Sequence, residues 1–157
     1  MWHDLFPLNF TESELKDLNA LEGRELSQVF YTVWNNLSAK GGDFQALDWV
    51  ELFFADGHEI AFTAGEESDG LRVTELNFGL EQTRIQQQFN GQVMLQRLDV
   101  SSGAVWQAAL GKKLLSVGML EGPDGLIQNN QLQLNFSGVV MELALNEEGM
   151  LVRRQER

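Results

Sequence analysis

Between Leu47 and Ala64 the chain reads LDWVELFFADGHEIAFTA, two runs of alternating side-chain character on either side of Asp56-Gly57. Alternation with period two places successive side chains on opposite faces of a strand. The Asp-Gly pair suits a two-residue turn with positive φ at both central positions, so the stretch predicts a β-hairpin. A second hairpin is predicted from Gln131 to Leu145 around Ser137-Gly138, and Glu148-Gly149 then turns into a last strand over Met150 to Arg153.

The other elements follow from the same kind of reading. Thr11-Glu12-Ser13-Glu14 has the form of a capping box, in which the Thr11 hydroxyl accepts from an early helical N–H and Glu14 reaches back to the cap. A helix to about Glu22 follows, with Leu15, Leu18 and Leu21 as its apolar stripe and Gly23 as its stop. Leu26 to Trp34 is β-branched and aromatic, with Val29, Tyr31 and Val33 on one face and Phe30, Thr32 and Trp34 on the other. A loop over Asn35 to Asp43 precedes the first hairpin; the acidic turn Gly65-Glu66-Glu67-Ser68-Asp69-Gly70 follows it and leads to a strand from Leu71 to about Phe78. Glu81 to Gln88 fits a helix through Ile85 and Phe89, or a strand through Ile85, Gln87 and Phe89 ending at Asn90-Gly91; we read it as a strand. Val93 to Val100 is another strand. Ser101 or Ser102 can cap a short helix carrying Val105, Trp106, Ala109 and Leu110 and ending at Gly111. A strand from Lys113 to Leu120 and a Pro123-Asp124-Gly125 turn complete the series. The first ten residues, with Trp2, Leu5, Phe6, Leu8 and Phe10, are too apolar for a free tail and are expected to pack across the body.

Self-similarity organises these elements. With Gly23 set on Gly111, Arg24 falls on Lys112, Leu26 on Leu114 and Val29 on Val117. Val50, Leu52 and Phe54 fall on Leu132, Leu134 and Phe136, and Ile60, Phe62 and Ala64 on Met141, Leu143 and Leu145. The expected fold is therefore mainly β (α+β): one domain over residues 1–157, with two tandem helix-plus-antiparallel-strand repeats at about 11–78 and 101–153. Packed on their apolar faces they would form a β-sandwich, or a closed roll or barrel.

The two copies differ on one face. Opposite the Leu132, Leu134, Phe136 row stand Gln131, Gln133 and Asn135, whereas the first copy has Trp49, Glu51 and Phe53; Phe30 and Trp34 stand where the second has Gly118 and Gly122. Either the Leu15, Leu18, Leu21 helix or the N-terminal segment covers this extra apolar face, or it is an exposed aromatic patch.

Charge sharpens the second reading. The net charge is −12, and residues 1–78 carry 15 acidic and 4 basic side chains against 8 and 7 in residues 79–157. This disfavours a broad basic surface for nucleic acid, while acidic groups around aromatic anchors would select a basic protein partner. The candidate partner-binding residues are Phe30, Trp34, Trp49, Glu51, Phe53, Glu66, Glu67 and Asp69.

Catalytic and metal chemistry has little to build on. Cysteine is absent, which fits a reducing compartment without requiring one, and no Ser sits in a G-x-S-x-G elbow. His58 follows the hairpin turn beside Asp56 and Glu59, a position more typical of a solvent-exposed histidine than of a general base; His3 has less support still. Glu66, Glu67 and Asp69, with Asp43, Asp48 and Asp56 from neighbouring loops, offer oxygen to Ca²⁺, but the spacing matches no calcium loop. No cofactor or metal is expected. No apolar run approaches the ~20 residues of a membrane-spanning helix, and the start MWHDLFPLNF has no basic region or cleavage site, so the expected location is the cytoplasm. The expected function is a non-enzymatic acidic interaction module for a basic protein, of which inhibitors and immunity-type proteins are one class, with a homodimer as a further option. The alternatives are a small-ligand-binding barrel or roll, then a hydrolase or other enzyme without a recognisable motif.

Overall fold

The computed structural model describes residues 9–36, 45–64, 70–146 and 149–156. It is mainly β, with two antiparallel sheets and two helices: α1 (Glu12–Asn19), β1 (Leu26–Asn36), β2 (Gln45–Phe54), β3 (Glu59–Ala64), β4 (Leu71–Val73), α2 (Phe78–Gln88), β5 (Val93–Asp99), β6 (Leu114–Gly118), β7 (Gln131–Phe136), β8 (Val139–Asn146) and β9 (Gly149–Glu156). The first sheet has the order β4-β3-β2-β1-β5 and the second β6-β7-β8-β9. Among the described residues the sheets form no closed barrel. Among the same residues no helix is long and apolar enough to cross a membrane.

The alternating rows form the interior as their spacing requires. Val50, Leu52 and Phe54 of β2, Phe62 of β3, Leu132, Leu134 and Phe136 of β7, and Met141 and Leu143 of β8 are all at most 3% exposed and belong to one hydrophobic cluster shared by the two sheets. Leu18 and Leu21 join the same cluster, so α1 packs on the main core.

Register runs in parallel through the two sheets. In the first, Leu26 pairs with Phe54, Gln28 with Phe53 and Val29 with Leu52, with a register shift between Leu26 and Gln28. In the second, Leu114 pairs with Phe136, Ser116 with Asn135 and Val117 with Leu134, with a register shift between Leu114 and Ser116. Leu52 opposite Ile60 has its counterpart in Leu134 opposite Met141, and Ala64 opposite Leu71 in Leu145 opposite Met150. Where β1 and β6 begin, the segments leading into them pair with each other. Gly23 N–H donates to Leu114 O at 2.7 Å, Gly111 N–H to Leu26 O at 2.9 Å, Leu26 N–H to Lys112 O at 3.0 Å and Leu114 N–H to Arg24 O at 2.9 Å. Under the Gly23–Gly111 correspondence these are two reciprocal pairs of bonds about the Glu25–Lys113 bridge.

Several local elements depart from the expected ones. The helix begins at its capping box, with Glu14 N–H donating to Thr11 Oγ1 at 3.1 Å and Thr11 N–H to Glu14 Oε1 at 2.9 Å, but ends at Asn19 rather than near Glu22. The first hairpin closes through Ala55-Asp56-Gly57, with only Gly57 at positive φ (+89°). Gly57 N–H donates to Phe54 O, and the Asp56 carboxylate accepts from His58 N–H at 3.0 Å, so aspartate shapes the turn with its side chain and not with a strained backbone. The strand expected over Leu71 to Phe78 is only three residues long. Residues 101–111 form successive turns, not a regular helix, and Ser101 turns to β1, accepting from Val29 N–H at 2.8 Å. β6 is shorter than expected and β9 longer.

The main correction is α2, where a strand was expected. Asn77 caps it, accepting from Leu80 N–H at 3.1 Å. Phe78, Ile85 and Phe89 then share one side of the helix and meet Val93 and Leu95 of β5 and Trp34 of β1 in a separate hydrophobic cluster. A helical period gathers all three apolar residues on one face, whereas a strand would place Phe78 opposite Ile85 and Phe89. Gln82 completes the attachment by accepting from Leu95 N–H at 2.8 Å and donating to Leu95 O at 3.3 Å, which occupies the main chain of edge strand β5.

Glu14 links α1 to the first sheet beyond its capping role. Its side chain is 8% exposed and accepts from Arg72 Nη1 and Val73 N–H, both at 2.7 Å. Glu14→Ala is expected to lose about 3 kcal/mol, because a cap and two further donors lose their acceptor together. Urea unfolding of the variant beside Glu14→Gln, which keeps an acceptor oxygen and should lose less, measures this.

Candidate interaction face

The outer face of the first sheet divides into a covered part and an open part. Strand alternation turns Phe30, Thr32 and Trp34 of β1, Trp49, Glu51 and Phe53 of β2, and Ala61 and Thr63 of β3 to this side, opposite the buried Val50, Leu52 and Phe54 row. Trp34 lies under α2, its ring 5.4 Å from Phe89 in an edge-to-face arrangement. Trp49 is 6% exposed. Neither indole is therefore a free anchor, and the helix over Trp34 is α2 rather than α1.

Phe30 and Phe53 remain half-buried in the open part. Their rings meet edge to face at 5.5 Å, and the Arg97 guanidinium lies 4.1 Å over Phe30 and 5.8 Å from Phe53. The same guanidinium donates to both oxygens of Glu51, at 2.8 and 3.4 Å. A cation held over two rings and bound to a carboxylate is a fixed element of surface, since each contact restrains the others.

Beyond Glu51 the face hollows out. One depression of about 400 Å³ is lined by Asp17, Glu51, His58, Glu59, Ala61 and Glu75 among others. A second, of about 620 Å³, runs past Trp49, Asp48 and Thr63 to Leu80, Glu81 and Arg84 of α2. Both are lined by Val73, Thr74 and Glu75, where they meet. Arg72 is bound to Glu14 at 2.7 Å and Arg84 to Glu81 at 2.9 Å, so the lining is acidic overall. Leu80, at the α2 side, is 68% exposed.

At the end of the hairpin, Asp56 is held below the usual carboxylate range, first by the His58 backbone N–H and also by the Arg24 guanidinium that binds it. His58 lies in the first depression beside Glu59, where Thr74 carries the one hydroxyl among the described lining residues. Among the described residues no group of three or more His, Asp or Glu side chains is placed to hold a metal ion.

The structure thus brings Phe30, Glu51 and Phe53 together, buries Trp49 beside them and leaves Trp34 half-buried under α2. Glu66, Glu67 and Asp69 lie outside the described residues. Sequence reasoning missed Arg97, Leu80, Glu59, Glu75 and Asp17. Arg97 joins the face because β5 pairs with β1, with Arg97 opposite Thr32, a long-range pairing with no local signal. Leu80 falls between the stretches read as strands, Leu71 to about Phe78 and Glu81 to Gln88, so nothing placed it on a helix. Compared with family models, with curated proteins and with solved structures, the chain matches none.

Proposed function

We propose that this chain is a non-enzymatic, acidic protein-interaction module that binds a basic protein through the open outer face of its first sheet. The observation that carries the reading is an internal comparison. At positions of matching register, Phe30, Glu51 and Phe53 in the first sheet stand where the second has Gly118, Gln133 and Asn135. The same backbone frame therefore carries an aromatic and charged surface on one side and a small, neutral, polar one on the other. Aromatic residues and arginine supply much of the binding energy where interfaces have been dissected, and a net charge of −12 favours encounter with a basic partner.

The reading includes the architecture. Two tandem copies arose by duplication and pack as a sandwich on a shared core; the matched registers and the reciprocal bonds about Glu25–Lys113 support this. A cytoplasmic location goes with it. The alternative, a roll holding a small ligand between the sheets, is less well supported, since Phe54, Phe62, Phe136 and Met141 fill the interior at 3% exposure or less. For hydrolysis the described residues of this depression offer His58, Thr74 and carboxylates on an open face.

The test is capture of partners from lysate of the native host by the tagged full chain, at low and then moderate salt, with Phe53→Ser in parallel. Phe53 is half-buried on the outer face, so the variant is expected to keep its fold, checked by its thermal melt. A partner of high isoelectric point that binds the wild type, weakens with salt and is lost with Phe53→Ser supports the reading. A partner bound equally by both proteins overturns it.

A further inference from the structure

The two depressions beside Phe53 form an acidic groove, and we infer that it receives an extended lysine- or arginine-rich segment of the partner protein, with one apolar side chain of that segment seated against Leu80. This rests on the interaction reading above and names the chemistry of what is bound. Arg72 and Arg84 are turned onto Glu14 and Glu81, so the sign of the groove is set by Asp17, Glu59 and Glu75. These groups come from α1, β3 and the segment after β4, and spread along the groove rather than converging on one point. A single small cation would leave most of them unanswered, whereas a chain with basic side chains at intervals meets them in turn. Leu80 is the most exposed of the large hydrophobic residues described, and it stands where the groove meets α2. An apolar side chain at the lip of a polar groove fits an interaction site better than a solvated surface.

Recognition is through side chains and not by strand addition. The neighbouring edge strand β4 has its main chain engaged already: Leu71 N–H donates to Asn129 O at 2.7 Å, Leu71 O accepts from Asn129 Nδ2 at 3.1 Å, and Val73 N–H donates to Glu14. A partner cannot extend the sheet there without breaking these bonds, so the segment lies over the face of the sheet.

The experiment is fluorescence anisotropy of a short labelled lysine–serine repeat peptide with one central leucine, titrated with the intact chain at low salt, and of its glutamate–serine counterpart. Two double variants of equal net charge are compared: Glu59→Gln with Glu75→Gln in the groove, and Glu22→Gln with Glu121→Gln outside it. The groove pair is expected to weaken the basic peptide about tenfold, the outside pair by less than about twofold. Leu80→Ser is expected to weaken it roughly fivefold, because an apolar contact is lost from an exposed position that the fold does not need. Equal losses in the two double variants would show attraction by net charge alone and overturn the proposal, as would no saturable binding of the basic peptide. A captured partner lost with Phe53→Ser but indifferent to the groove pair would also sink the groove, while leaving the interaction reading in place.

Discussion

Trp106→Ala is expected to lower stability by about 4 kcal/mol, the range for removing a buried tryptophan from a core that cannot close over the gap. For a domain of this size that corresponds to a fall in Tm of about 12 °C. Trp106 is 0% exposed and belongs to the main hydrophobic cluster, although it comes from a stretch of turns rather than a regular element. It also carries a polar contact: Nε1–H donates to the Tyr31 hydroxyl at 2.7 Å, tying the 101–111 segment to β1. Trp106→Phe keeps most of the apolar volume and loses this bond, so it should cost about 1–2 kcal/mol. Chemical denaturation of the two variants separates the terms. If Trp106→Ala costs no more than Trp106→Phe, the ring contributes little and the segment is loosely held.

Tyr31 adds a pH dependence of known sign. Burial raises its pKa above the ordinary tyrosine value, and the Trp106 N–H opposes that shift without cancelling it. The unfolded chain therefore ionises first as pH rises, so Tyr31 leaves stability unchanged at neutral pH and lowers it above about pH 10. In Tyr31→Phe this part of the alkaline loss should be missing, which is read from unfolding midpoints at neutral and alkaline pH.

What could be read from the sequence was what neighbouring residues decide. The capping box at Thr11, the two hairpins and the buried faces of β2 and β7 all follow from spacing and turn residues within a few positions. The pairing of the Leu52 row with Ile60 and of the Leu134 row with Met141 is local in the same sense. The segment that became α2 was different. Its glutamines favour neither period strongly, and Ile85 fits either; what decides is burial against Trp34, distant in the chain, together with Val93 and Leu95 of the strand that follows. That one misreading carried over to the site. From the sequence the face with Trp34 and Trp49 was either covered by α1 or the N-terminal segment or left as an open patch; in the structure α2 lies over a half-buried Trp34, Trp49 is buried, and the open surface shrinks to Phe30, Glu51 and Phe53 with Arg97 laid across the rings. The acidity of the first half was legible as composition. Its concentration into a groove depends on Asp17, Glu59 and Glu75 meeting from separate elements, which no local pattern encodes.

Gly70→Ala is the second large effect expected, and it tests how the first sheet is joined to the segment leading into β7. Gly70 is buried at φ +94°, where a side chain is strained by about 1–2 kcal/mol whatever its surroundings. Here the surroundings are worse than neutral: a Cβ would come within 2.4 Å of the Asn129 side chain. Asn129 cannot simply swing aside. It is 0% exposed, its Nδ2 donates to Leu71 O at 3.1 Å, and its own carbonyl accepts from Leu71 N–H at 2.7 Å. Relieving the overlap means giving up at least one of these buried bonds, at about 1–3 kcal/mol. The summed cost is about 4 kcal/mol, several times what is usual for replacing a glycine that only supplies positive φ. Gly57→Ala is the internal control, since Gly57 has a similar φ of +89° but nothing within 4 Å of its Cβ position, and should lose only the backbone term. Urea denaturation of both variants decides the matter. Equal losses would mean that Asn129 yields freely and does not hold β4, whereas a much larger loss at Gly70 places the Leu71–Asn129 pairing among the contacts on which the first sheet depends.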